Sequence, residues 1–188
     1  NSTEILFNRW PESRITGIDN SIAMIEKARS DYPDINWEIA DASKLDCKRK
    51  FDIVFSNATI QWIPNHDRFL GNLMNMVNKN GALAVQMPLY QLMPVSEIID
   101  DVFKKLFPGI QFTLNSIFTF HPADYYYNCL TRHSKRIELW ETSYFHIMQS
   151  CHDILEMIKS TGMKPYLEKI HDDKMKKTFE IEVAGELE

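Results

Sequence analysis

The chain has 188 residues, of which 44% are hydrophobic and 12% aromatic, and it carries a formal net charge of -5. That is enough apolar material for one sizeable core. The acidic balance, without any basic run, argues against nucleic acid or an anionic membrane as partner and points to a small molecule. No apolar stretch approaches the roughly 18 residues needed to span a bilayer, and Asn1-Ser2-Thr3-Glu4 lacks the basic-then-apolar order of a secretion signal, so a cytoplasmic protein is expected. The cysteines, Cys47, Cys129 and Cys151, are odd in number and lack C-x-x-C spacing, which fits reduced thiols.

Residues 2–10 carry Ile5, Leu6 and Arg9 at helical spacing, with Pro11 to stop the helix. Residues 14–19 read as a short buried strand. Ser21 then caps a helix carrying Ala23, Met24, Ile25 and Ala28, which Tyr32-Pro33 breaks. Ile35, Trp37 and Ile39 alternate with polar residues as a second strand, which ends at Ala40-Asp41. Residues 51–56 form a compact apolar run ahead of Asn57. Phe69, Leu70, Leu73, Met74 and Val77 then recur on one helical face, which Asn80-Gly81 is expected to close before a strand at 82–87. Strands alternating with helices at this spacing imply an α/β fold with a mostly parallel sheet covered on both faces.

Beyond Pro88 the pattern changes. Val95, Ile98, Ile99, Val102, Phe103 and Leu106 form a helical stripe, and an aromatic segment follows at 112–127, so 89–135 reads as a helical insertion over one end of the sheet. Residues 136–148, with Ile137, Leu139, Thr142 and Tyr144-Phe145, predict a long strand returning to the sheet. A helix is expected over 153–161, ending at Gly162, and the ambiguous tail at 172–188 reads as helix. The whole chain, 1–188, is expected to be one domain, with 1–88 as its core and 136–188 as the returning strand and terminal helices.

Ligands of open parallel sheets bind at the carboxyl ends of the strands. The residues found there are Asp19, Asp41 and Asn57. Each carboxylate alone is an ordinary turn residue. Acids after two successive strands, with Asn57 after the next, together outline a ligand lying across the strand ends; a carboxylate after a strand suits the two hydroxyls of a ribose. The six glycines, Gly17, Gly71, Gly81, Gly109, Gly162 and Gly185, form no G-x-G-x-x-G or Walker loop, so nothing present cradles phosphates. The six histidines lack metal-ligand spacing and no metal is expected. Ser56, Ser96 and the cysteines sit in no nucleophile elbow.

Residues 17–24, GIDNSIAM, resemble the second-strand motif of the class I S-adenosylmethionine-dependent methyltransferases. Ala40-Asp41-Ala42 resembles their adenine-binding motif, and 51–62, FDIVFSNATIQW, their fourth-strand motif. Through 81–88, 140–146 and 160–165 the chain is similar to the trans-aconitate 2-methyltransferase branch. The resemblance implies a Rossmann-like, doubly wound sheet and S-adenosyl-L-methionine as cofactor. It implies that Asp19 holds the ribose hydroxyls, Asn20 and Met24 border the adenosine, Asp41 accepts from the adenine amino group, the Ala42 amide meets the ring, and Asn57 holds the methionine end. It also implies that the family's first strand and glycine-rich loop lie before Asn1 and its last strand after Glu188, and that these 188 residues alone expose strand edges and apolar surface.

The implied reaction is esterification of a carboxylate on a small polycarboxylic acid, which needs positioning more than acid–base help, so no catalytic residue is assigned. The expected pocket wall includes Trp62, Gln86, Trp140, Tyr144 and His146, together with Gln61, Met87, Tyr126, Tyr127 and Thr142. Lone tryptophans and histidines are more often structural, and Arg132 and Arg136 more often meet solvent. Two alternatives stay open. The FSNATIQW stretch also resembles the malonyl-carrier-protein methyltransferase of biotin synthesis, and the scaffold alone would suit a non-catalytic binding module.

Overall fold

The computed structural model describes residues 2–45, 48–159 and 161–187. Cys47 and Ser160 lie outside the described residues. The described chain divides into two compact units, one of Asn1–Gln86 with Asn128–Lys135, the other of Met87–Tyr127 with Arg136–Glu188.

The first unit opens with helix α1 (Ser2–Arg9), followed by strand β1 (Thr16–Asp19), helix α2 (Ile22–Asp31) and strand β2 (Asn36–Ile39). Ser21 caps α2 by accepting the Met24 N–H, and Ile25 is the α2 residue buried beneath it. Strands β1 and β2 are parallel, with Gly17 opposite Trp37 and Asp19 opposite Ile39. The Trp37 ring packs against Gly17 and occupies the space that a Cβ there would fill. Its indole N–H donates to the Tyr32 carbonyl at 3.0 Å, which fixes the ring in that position.

Strand β3 (Phe51–Asn57), helix α3 (His66–Asn75) and strand β4 (Val77–Gln86) form a second strand–helix–strand crossover, again with parallel pairing. Asn65 caps α3, and Phe69, Leu70 and Leu73 are buried at the expected helical spacing. The helix ends before the expected Asn80-Gly81. The Phe51 N–H takes the Met76 carbonyl at 2.8 Å, which draws the chain into the ladder at Val77. Val77 pairs with Phe51 and Ala82 with Ile53, so the residues between them bulge out of the ladder, with Asn80 left-handed at φ 67°.

The described strands form two separate two-stranded parallel ladders. Ile39, Ile53 and Phe55 keep 51%, 44% and 41% of their surface exposed, so neither ladder buries both of its faces among the described residues.

The second unit is helical: α4 (Pro94–Leu106), α5 (Ala123–Thr131, which begins in it), α6 (Cys151–Lys159), α7 (Lys164–Leu167) and α8 (Asp173–Glu186). The stripe expected on α4 is its buried face, through Val95, Ile99, Val102 and Phe103. Phe103 is fully buried, with ring centroids of Phe107, Tyr166 and Phe179 at 5.0, 5.1 and 5.6 Å. The tail is the helix α8, capped by Asp172 and anchored by buried Phe179 and Val183. Cys129 and Cys151 stand as thiols. No helix among the described residues is long and apolar enough to cross a membrane.

The long strand expected at 136–148 is absent. The segment carries no ladder bonds, and Trp140, Tyr144 and Phe145 are 75%, 78% and 94% exposed. β-Branched and aromatic content favours a strand only where a neighbour supplies hydrogen bonds and a surface to pack on.

Gly17→Ala will push Trp37 from its seat and cost about 1–3 kcal/mol in denaturant unfolding. Gly109→Ala, where a Cβ meets nothing within 4 Å, will cost less.

Candidate cofactor site

Parallel pairing brings the ends of β1 and β2 to one edge. The Ala40 N–H donates to the Asp19 carbonyl at 3.0 Å, so Asp41 follows directly beside the end of β1. Both acids build the same local turn. Asp19 Oδ1 accepts the Ser21 N–H at 2.8 Å, and Asp41 Oδ1 accepts the Ser43 N–H at 2.9 Å. The signal is the repeated Asp-x-Ser of Asp19-Asn20-Ser21 and Asp41-Ala42-Ser43, in which the carboxylate mimics a backbone turn and holds its own side chain in place.

The two turns then differ. Among the described residues none hydrogen-bonds to Asp19 Oδ2, and Asp19 is exposed, open to a ligand hydroxyl. Asp41 is more committed: Oδ1 also accepts the Ser43 hydroxyl at 2.6 Å, and Lys44 Nζ lies 3.0 Å from Oδ2. These contacts, the Ser43 hydroxyl first, hold the Asp41 carboxyl down at about 2. Asn20 is exposed beside Asp19, Met24 is 57% exposed in the first turn of α2, and Ala42 opens a 3-10 turn, Ala42–Lys44.

The second ladder ends on Asn57 and Gln86, directly paired in register. Asn57 Nδ2 donates to Ser2 Oγ at 2.9 Å, tying the strand end to the start of α1. Ala58 follows in a left-handed conformation, φ 51°, which costs an alanine on the order of 1 kcal/mol. Three bonds hold that turn: the Ala58 N–H donates to the Gln86 carbonyl at 3.0 Å, Gln61 Nε2 to the Ala58 carbonyl at 3.0 Å, and Thr59 Oγ1 to the Asn57 carbonyl at 3.1 Å. Gln61 is buried, and its Oε1 has no hydrogen-bond partner among the described residues. Neither the Ser2 bond nor the Gln61 brace was foreseen; both depend on residues too distant or too irregularly placed for periodicity to reveal.

Of the expected substrate wall, Trp62 is half exposed at the end of the 3-10 turn Ile60–Trp62, and Gln86 is exposed at the end of β4, both in the first unit. Trp140, Tyr144 and His146 lie on the exposed, unpaired segment 136–148 of the second unit. There too, the Tyr126 hydroxyl lies 3.6 Å from Met87 Sδ.

Residues 1–85 match the family described as "Methyltransferase domain". Among curated proteins, the trans-aconitate 2-methyltransferase of Azoarcus sp. (strain BH72) is 33% identical over 177 residues, covering 92% of this chain and 68% of that protein. That of Escherichia coli O157:H7 is 36% identical over 171 residues, covering 90% of this chain and 66% of that protein. The chain belongs to the class I S-adenosylmethionine-dependent methyltransferases. It spans about two thirds of the length of these relatives.

Membership makes the chain a methyltransferase with S-adenosyl-L-methionine as methyl donor. The strand ends suit that donor. It is a sulfonium cation without phosphates, and the methyltransferase strand ends offer carboxylates and amides where a dinucleotide site would need a glycine-rich cradle.

The Asp41 carboxyl, followed by carbon-13 NMR, will titrate with a midpoint near 2, and Ser43→Ala will raise it. Because the folded value is depressed, the turn's stabilising contribution is complete above about pH 4 and is lost as pH falls through 2. A midpoint near 4 in the parent chain would show that the turn does not form.

Proposed function

We propose that this methyltransferase lays its cofactor across the strand ends and esterifies a carboxylate of a small polycarboxylic acid such as trans-aconitate. The observation that carries the cofactor pose is the pair of Asp-x-Ser turns at adjacent parallel strand ends. In this pose the open Oδ2 of Asp19 accepts from the ribose hydroxyls, Asn20 and Met24 flank the adenosine, and the Ala42 amide meets the adenine ring. Asp41 takes the adenine amino group on Oδ2, in place of or beside Lys44. Asn57, immobilised by Ser2 and by the strained Ala58 turn, holds the methionine end.

The substrate class rests on the relatives, whose name specifies trans-aconitate. The donor supplies an electrophilic methyl: a carboxylate oxygen forms the new C–O bond as the C–S bond breaks, with the electron pair leaving on sulfur and no proton transferred. The protein's task is alignment and exclusion of water. Trp62 and Gln86 of the first unit contact the acceptor in this reading, and the two ladders run side by side in one doubly wound, Rossmann-like sheet. The setting is cytoplasmic.

Asp19→Ala will weaken S-adenosylhomocysteine binding by about 1.5–3 kcal/mol in calorimetry, the scale of hydrogen bonds to a charged acceptor. Unchanged affinity removes Asp19 from the ribose site. With labelled donor, trans-aconitate will outrun matched dicarboxylates, because a site that matches each carboxylate with a donor penalises a missing acceptor more than a change in apolar bulk. Preference for a malonyl-carrier protein would reassign the substrate.

A further inference from the structure

A cleft of about 480 Å3 opens in the first unit between the 3-10 turn after β2 and the start of α3, within the range of small-molecule sites. Its wall is built by spacing. Asn65, Arg68, Phe69 and Asn72 recur at i, i+3, i+4 and i+7, so one face of α3 presents a cation and two amides around the buried Phe69 ring. Buried Ile63 continues the apolar floor, and Lys44 supplies a second cation from across the cleft.

The charge balance in the cleft is positive. Among the described residues Arg68 has no ion-pair partner: the acid beside it on α3, Asp67, is taken by Arg132, which also holds its carboxyl below the usual range. Lys44 pairs with Asp41 alone among the described residues, and that contact leaves 80% of the lysine side chain exposed. Among the described residues the Asn72 side chain has no hydrogen-bond partner, and Asn65 uses only its oxygen, as the cap of α3, which leaves its NH2 to donate. An unpaired guanidinium fork with amide donors on one rim, an ammonium opposite and an apolar floor is matched by a small carboxylate anion on an apolar or unsaturated body.

We propose that this cleft binds such an anion, separately from the methyl acceptor, and that it acts on the cofactor site through Lys44. Nothing in the cofactor pose uses Arg68, Asn72 or Phe69. A carboxylate held between Arg68 and Lys44 draws the ammonium from Asp41 Oδ2 and frees that oxygen for the adenine amino group. This second step rests on the proposed role of Asp41; the binding step does not.

The test uses the whole chain without cofactor, titrated with fumarate and separately with inorganic phosphate under saturation-transfer NMR. Fumarate is expected to bind, phosphate at least tenfold more weakly, and Arg68→Gln to weaken fumarate at least tenfold, while Lys174→Gln, a surface charge removed in the other unit, leaves it unchanged. Since Arg68 is exposed, a circular-dichroism melt is expected to show the same folded state in Arg68→Gln; should it be altered, Asn72→Leu gives the same reading from one turn further along the same rim. Equal fumarate affinity in these variants overturns the site, and phosphate binding as tight as fumarate overturns the carboxylate assignment. If fumarate binds as expected but S-adenosylhomocysteine affinity does not rise with it, the Asp41 link is wrong and the anion site stands.

Discussion

Everything placed at the candidate site depends on parallel pairing. Antiparallel neighbours end on opposite edges, whereas parallel strands joined through a helix end on the same one. In this chain that constraint operates twice, once through α2 and once through α3, and it gathers residues distant in sequence: Asp19 with Asp41, and Asn57 with Gln86. Apolar and polar contacts agree on one register: Trp37 packs against Gly17, and in the neighbouring pair Asn36 Nδ2 donates to Thr16 Oγ1 at 3.3 Å. With these pairs in place Asp19 stands against Ile39 at the strand ends.

The strand ends are then stiffened by short-range bonds. Two acids fold back on the second amide after them, and one alanine sits in a left-handed turn held by a buried glutamine. Each device costs conformational freedom before any ligand arrives, which lowers the ordering cost of binding. The same logic separates the two acids. Asp19 keeps an oxygen open, whereas Asp41 spends both on Ser43 and Lys44, so a ligand reaching Asp41 must displace or share an ion pair.

Local chemistry made much of this readable in the sequence. The Ser21 cap, the α4 stripe and the Phe179–Val183 anchor of α8 are written in neighbours three or four residues apart, where helical geometry needs no knowledge of the rest of the chain. The acids at the strand ends were legible because each directly follows a short strand pattern, whereas the Asp-x-Ser turn that holds each of them is seen in the structure. Residues 136–148 were misread because strand formation depends on a partner that no local pattern reports. The bulge in β4 escaped because Asn80-Gly81 is a stop signal for a helix and equally a kink signal for a strand.

The contrast between the two units follows from the same distinction between local and distant support. The helical unit closes its core from helical stripes: Phe103 meets Phe107 at the C-cap of its own helix, then Tyr166 and Phe179 on two others, and all but Phe107 are fully buried. The strand ladders satisfy their backbones pairwise, yet Ile39, Ile53 and Phe55 keep large exposed areas, because a strand offers apolar groups on alternate faces and needs a layer on each. Stability and ligand chemistry are therefore divided within this chain. The residues with the most complete packing carry no candidate chemistry, while the polar ends that can hold a cofactor stand on the least covered elements, where their geometry is kept by turns and caps rather than by a core.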